Sequence, residues 1–272
     1  MLAEPSRLRS VAAASAATAL LLAAACGDEP KSHSHDPVSA AAHAAPHWDY
    51  DAEGPDHWAD LDHDYLTCKS GHEQSPIDLP SHTRLDPAEH ITLDYGSVPT
   101  LRLVDNGHTV QANLQAGNGN RLVVGAVPYE LTQFHFHLPS EHTVDGSGTA
   151  MELHLVHKSS AGKLAVLGVL LEAVDAPSAF DEILLTAPTT VDAETIVETP
   201  TDLRALLPAD LDQFRYQGSL TTPPCSEGVS WTVLEHPVPV ATAGVDRFRT
   251  LFPHSNRPTQ PLNGRPVTLA GG

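Results

Sequence analysis

Between Ile91 and Leu171 short apolar or alternating segments are cut apart by strong turn formers, and this punctuation constrains the fold more than any other feature. The segments are Ile91 to Tyr95, Thr100 to Val104, Thr109 to Leu114, Arg121 to Val124, Glu130 to Leu138, Ala150 to His157 and Leu164 to Leu171. Each has strand length, and most alternate with a period of two. Asp105-Asn106-Gly107, Gly117-Asn118-Gly119 and Asp145-Gly146-Ser147-Gly148 lie between them and favour tight reversals. Helical signal is weak. Pro177 to Leu185 predicts a short helix, with Ser178 as its cap and Asp181-Glu182 in its first turn, and Asp202 to Leu207 predicts a single turn. With 23 Pro, 18 Gly and few aromatics, the chain reads as mainly β with a few short helices. We find no internal repeat, and from His47 onward one domain is expected, large enough to bury a core.

The residues before His47 have a different character. Arg7 and Arg9 precede an apolar run from Val11 to Ala25, too short and Ala-rich to span a membrane, and Glu4 is out of place in such a leader. The run ends Ala23-Ala24-Ala25-Cys26-Gly27, resembling a bacterial lipoprotein processing site, although Ala23 stands where Leu is preferred. Residues 1–25 are therefore expected to be a signal peptide and Cys26 a lipidated N-terminus, with ordinary cleavage near Ala25 as the alternative. Residues 26–46 read as the lipobox cysteine and a flexible polar linker carrying His33, His35 and His43. The expected location is exported, periplasmic or at the cell surface, with membrane contact only through the lipid. The chain has 15 Lys+Arg against 34 Asp+Glu; cleavage leaves 13 against 33, a net charge of −20. Such a surface repels nucleic acid, which we exclude as a partner. Once Cys26 is set aside, Cys68 and Cys225 remain as an even pair, which outside the cytoplasm suggests a bridge without proving contact.

The chemistry concentrates in Gln133-Phe-His-Phe-His137. Along a strand, His135 and His137 project from one face and Phe134 and Phe136 from the other. The next segment, Met151-Glu-Leu-His-Leu-Val-His157, follows a Gly-rich turn and is expected to pair antiparallel with the first. Glu152, His154 and Val156 then share a face, which makes His154 a third ligand, while His157 faces away as a hydrogen-bonded core histidine. Three imidazoles without a thiolate suit zinc in an open, catalytic arrangement, and copper, iron and nickel also accept imidazole. A competing reading is the first cupin motif, His135-x-His137-x3-Glu141-x6-Gly148, with Glu141 as a fourth ligand. Tyr129 replaces its upstream Gly, and its second Pro-x-Gly-x2-His segment is absent.

Four stretches in order, Gln133–His137, Ser140-Glu-His-Thr-Val-Asp-Gly146, Glu152–His157 and Gly218-Ser-Leu-Thr-Thr-Pro-Pro224, resemble the α-carbonic anhydrases. His57-Trp58, Gln74-Ser-Pro-Ile-Asp78, Asp105-Asn-Gly-His108 and Arg257-Pro-Thr-Gln-Pro261 extend the resemblance over about residues 47–270. It implies a large, mostly antiparallel twisted sheet of about ten strands with a few surface helices. It implies Zn2+ held by His135, His137 and His154, with Gln133 and Glu152 hydrogen-bonded to His135 and His154, and reversible hydration of carbon dioxide by zinc-bound hydroxide. In the same way it implies Thr221 as a hydroxyl relaying to Glu141, Thr221 and Thr222 as contacts for bicarbonate, and Val156, Val166, Leu220, Val229 and Trp231 as the apolar wall for carbon dioxide. His108 resembles the family's proton shuttle, an exposed imidazole served by Tyr50, Asn106 and Gln111. Cys68 and Cys225 match a bridge of bacterial members that would brace the Thr221 loop, and His142 is structural. Leu138-Pro139 departs from a Trp-Gly common in animal members. Partners are then carbon dioxide, bicarbonate and water, with a homodimer left open. The alternative function is a non-catalytic zinc-holding or adhesion module on the same scaffold.

Overall fold

A computed structural model describes residues 46–86 and 90–271. Cys26, the leader and the His33, His35 and His43 positions lie outside the described residues. Among the described residues, twelve strands form one large sheet. From one edge to the other they run Glu194–Val197, Leu101–Asp105, Val110–Asn113, Val127–His137, Met151–Ser159, Leu164–Val174, Glu227–Ala241, Gln213–Ser219, Thr268–Ala270 and Arg84–Leu85. Arg121–Val124 pairs with the first half of Val127–His137, and Ile91–Asp94 pairs with Arg121–Val124. All seven segments expected from alternation are strands.

The sheet is mostly antiparallel and close to the expected size of about ten strands, and two of its pairings are parallel. Leu164–Val174 pairs parallel with Glu227–Ala241, and Thr268–Ala270 parallel with Arg84–Leu85. The first pairing explains the unbroken apolar run Ala165 to Leu171. That strand is buried on both faces, as parallel strands are. Alternation did not single out Gln213–Ser219 or Glu227–Ala241. Pro237 and Pro239 read as strand breakers, yet they lie beyond Leu234, where pairing with Gln213–Ser219 stops, so their missing N–H groups interrupt no ladder on that side.

The two largest apolar clusters among the described residues lie on opposite faces of the sheet. Phe134, Phe136, Leu153, Leu155, Leu167 and Val169 pack with the helices Asp181–Leu185 and Thr242–Leu251 through Ile183, Leu184, Val245 and Phe248. Val166, Leu170, Phe214, Tyr216, Val229, Trp231 and Val233 form the other. The helix expected from Pro177 starts only at Asp181, and its cap position is Phe180. Ser178 instead accepts the Phe180 N–H at 3.3 Å and donates to Asp181 at 2.6 Å, which builds the turn before the helix. Asp202 caps the 3-10 turn Leu203–Leu206 through the Arg204 N–H. Thr242–Leu251 was not anticipated, because its cap, Ala241, offers no side-chain acceptor. Cys68 and Cys225 form a disulfide across 157 residues, worth on the order of 4–5 kcal/mol by chain entropy.

Candidate metal centre

Met151–Ser159 runs antiparallel to Val127–His137, with His154 opposite His135 and Glu152 opposite His137. Opposed residues share a face, so pairing and alternation together gather three imidazoles. Their ring centroids stand 4.9 Å (His135–His137), 5.4 Å (His135–His154) and 4.5 Å (His137–His154) apart. One nitrogen from each lies within 4.8 Å of the others.

Which nitrogen each ring offers follows from the partner of the other. Gln133 Oε1 lies 2.8 Å from His135 Nδ1, the Ser255 carbonyl beside His137 Nδ1, and Glu152 Oε1 2.9 Å from His154 Nε2. Oxygens that can only accept place the protons on those nitrogens. His135 Nε2, His137 Nε2 and His154 Nδ1 are left with lone pairs. His137 Nε2 is buried with no hydrogen-bond partner. Burial first, then the neighbouring imidazoles, hold His135 well below the usual histidine range. Burial brings His137 down to about 4, against the Ser255 hydrogen bond, and lowers His154 against the pull of Glu152. Neutral, unprotonated lone pairs converging in an enclosed space fit a divalent transition metal.

A second layer holds these rings. Glu152 Oε2 accepts the Glu141 and His142 N–H groups at 2.9 and 2.8 Å, while Oε1 meets His142 Nδ1 at 2.7 Å as well as His154. Burial alone would raise this carboxyl; His142 and His154 outweigh it and hold Glu152 well below the usual carboxylate range. His142 Nε2 continues to the Tyr216 hydroxyl at 2.8 Å, so both its nitrogens are used, in keeping with a structural role. Gly168 pairs with His154 on the next strand, and a Cβ there would come within 2.9 Å of Glu152 Oε1. Nearby, the buried Glu141 carboxyl takes the Arg257 N–H on Oε1 at 2.8 Å. Burial pushes its pKa up to about 7, opposed by His154, the Arg257 N–H and the Thr221 hydroxyl. Thr221 thus bears on Glu141, although Oε2 has no regular hydrogen bond.

A family profile described as eukaryotic-type carbonic anhydrase matches residues 53–271. The chain belongs to the carbonic anhydrase family. It is an α-class enzyme that interconverts carbon dioxide and bicarbonate. A carbonic anhydrase of Klebsiella pneumoniae is 42% identical over 227 residues, covering 82% of this chain and 91% of that one. The α-carbonic anhydrase of Thermovibrio ammonificans, solved with the inhibitor sulfanilamide, superposes with a TM-score of 0.78 at 37% identity, covering 83% of this chain and 100% of its own. Dioscorin, solved with ascorbate, superposes at 0.75 with 30% identity, covering 83% and 98%.

In this carbonic anhydrase, Val166, Val229 and Trp231 are buried in one cluster, with Val156 and Leu220 packed against it. Trp231 stands 4.9 Å from His154, ring to ring, so that cluster borders the imidazoles. Gln111 pairs with His135 across the strands and accepts from Asn106 at 3.3 Å. Asn106 in turn accepts the His108 N–H at 3.0 Å. Tyr50 is held well above the usual tyrosine range by burial and then by the Glu141 charge.

One feature departs from the sequence reading. His108 is partly buried rather than exposed, stacked on Trp48 with centroids 3.6 Å apart. Trp48 comes from the entry segment of the domain, a distance in sequence that local reading does not bridge. Burial first, then the His47 charge, lowers the His108 pKa, while Asp49 and Asp105 oppose the change. Ser255 and Gly168 were also missed. The Ser255 contact is a backbone carbonyl and leaves no trace in residue type, whereas a glycine inside an apolar strand is a readable sign of close approach. The Leu138-Pro139 departure leaves the three imidazoles together, and the Ser255 Oγ accepts the Leu138 N–H at 3.0 Å. Among the described residues no helix is long and apolar enough to cross a membrane. The disulfide points to an oxidising compartment.

Proposed function

We propose that His135 Nε2, His137 Nε2 and His154 Nδ1 would hold a zinc ion, the Lewis acid for the reaction. The observation that carries this reading is that all three rings have one nitrogen tied to an oxygen acceptor and the other turned toward its two neighbours. Zinc with three neutral ligands supplies Lewis acidity that brings a water's pKa to about 7, a magnitude established for carbonic anhydrase generally. Gln133, Glu152 and the Ser255 carbonyl hold the tautomers. Thr221 accepts a hydrogen bond from the attacking oxygen and donates its own proton to Glu141, which aims the oxygen's lone pair at carbon dioxide. Thr221 N–H and the Thr222 hydroxyl hold the product's oxygens. Val156, Val166, Leu220, Val229 and Trp231 receive the apolar substrate, which asks for no strong hydrogen bonds. His108 takes the released proton by way of water ordered by Tyr50, Asn106 and Gln111, and passes it to buffer.

The same reading extends to the chain ends. Residues 1–25 are a signal peptide, Cys26 the lipid-bearing residue, 26–46 a linker and 47–272 the enzyme domain, placed in the periplasm or at the cell surface. Its support is the Ala-rich run ending in Ala25-Cys26 and the disulfide further on. Metal analysis and a carbon dioxide hydration assay on the purified chain test the central reading. One zinc per chain with activity that a chelator abolishes and zinc restores is expected. A metal-free chain that remains fully active would sink it. Labelling of whole cells with a palmitate analogue, with and without Cys26→Ser, tests the anchor; label retained in the variant places the lipid elsewhere.

A further inference from the structure

We propose that Arg257 is the positioning residue that sets Thr221 against Glu141, a role that rests on the reading of that pair given above. Glu141 and Thr221 come from separate turns; Arg257 bonds the first directly and reaches the loop of the second through Gln74. Its backbone N–H donates to Glu141 Oε1 at 2.8 Å. Its guanidinium, buried to 1% exposure, donates to Gln74 Oε1 at 2.9 Å, to the Ser75 carbonyl at 2.8 Å and to the Cys68 carbonyl at 2.6 Å. It sits 5.7 Å from the centre of the Trp58 ring. Gln74 passes the contact on: with Oε1 fixed on Arg257, its Nε2 donates to the Cys225 carbonyl at 3.1 Å and to Glu227 at 3.0 Å. Cys225 N–H closes onto the Thr222 carbonyl at 2.8 Å, inside the loop that carries Thr221.

Arg257 therefore bonds the Glu141 turn through its backbone N–H and the Cys68 and Gln74-Ser75 segments through its guanidinium, and Gln74 carries the link on to the Thr221 loop. Lysine supplies the charge as a point donor and cannot make these divergent bonds together. The arrangement also separates Arg257 from the disulfide. The Cys68 carbonyl is capped by Arg257 and the Cys225 carbonyl by Gln74, so both ends of the bridge stay hydrogen-bonded when the sulfur link is opened. The bridge then stabilises the fold, while Arg257 places the hydroxyl.

Arg257→Lys in the full-length, zinc-loaded chain tests this. Zinc content is expected to stay at the wild-type level, because the arginine touches no imidazole. The kcat/KM for hydration should fall about tenfold, as displacement of a positioned group by a fraction of an ångström does. In dilute buffer kcat should hold, because the His108 path limits it. A proportional loss of kcat and kcat/KM, or an unchanged kcat/KM, overturns the proposal. If Arg257→Lys does not fold, Gln74→Leu cuts the link to Cys225 while leaving the other guanidinium bonds, and the same split is expected. Thr221→Val is measured alongside. Loss of kcat/KM there but not in Arg257→Lys refutes the positioning role alone; no loss in either refutes the reading of Thr221 itself. Mild reduction of the bridge should lower Tm with kcat/KM retained, and a tenfold fall on reduction would assign the positioning to the disulfide instead.

Discussion

His154 and His157 stand three residues apart on one strand, are equally buried and have opposite fates. His154 spends one nitrogen on Glu152 and keeps the other for the imidazole cluster. His157, on the far face, spends both: Nε2 lies 2.6 Å from the Tyr95 hydroxyl and Nδ1 3.3 Å from the Ala165 carbonyl. Burial does not separate these two histidines. An unspent nitrogen does, and the orphaned Nε2 of His137 makes the same point from the neighbouring strand.

The largest effect should come from removing an unspent nitrogen. His137→Ala is expected to lose zinc and, with it, hydration activity by on the order of a thousandfold or more, checked by metal analysis beside the assay. Retention of both would erase the contrast. Next is the acceptor that gives His154 its tautomer: Glu152→Gln should weaken zinc binding by about 10- to 100-fold, read by competition with a chelator. An unchanged affinity would mean that the spent nitrogen matters little.

His108→Ala should slow turnover by about tenfold in weak buffer and be rescued by imidazole; equal loss in every buffer would remove the shuttle. Because burial and His47 depress the His108 pKa, its ring remains able to accept a proton below pH 6.5. The acidic midpoint of kcat in weak buffer should therefore lie below pH 6.5, and a midpoint above it contradicts the stacked geometry.

The smallest effect on activity belongs to the saturated ring. His157→Phe should keep its zinc and its rate while losing about 1–3 kcal/mol of stability, since the Tyr95 hydroxyl is left without its partner. Burial holds the His157 pKa down to about 3. The unfolded chain binds the proton first, so the stability from this group is full above pH 6.5 and drains as pH falls toward 3. Melting at pH 7 and pH 4.5 should show a smaller acid loss in the variant than in the wild type; an equal loss assigns the effect to other groups.

Much of this was legible from residue order. Local alternation in Gln133–His137 and Glu152–His157 fixes which side chains share a face, because strand geometry has a period of two wherever a strand forms. The turn at Asp145-Gly146-Ser147-Gly148 lies between those two strands, which pair as neighbours. Tertiary structure alone decided the rest. The parallel pairing of Leu164–Val174 with Glu227–Ala241, the Ser255 carbonyl on His137, the stacking of Trp48 on His108 and the bonds of Arg257 to Glu141 and Gln74 are contacts between distant segments. They depend on how the sheet twists and where its connections cross, and a carbonyl or an arginine fork engaged in this way has no periodic signature in the chain that carries it.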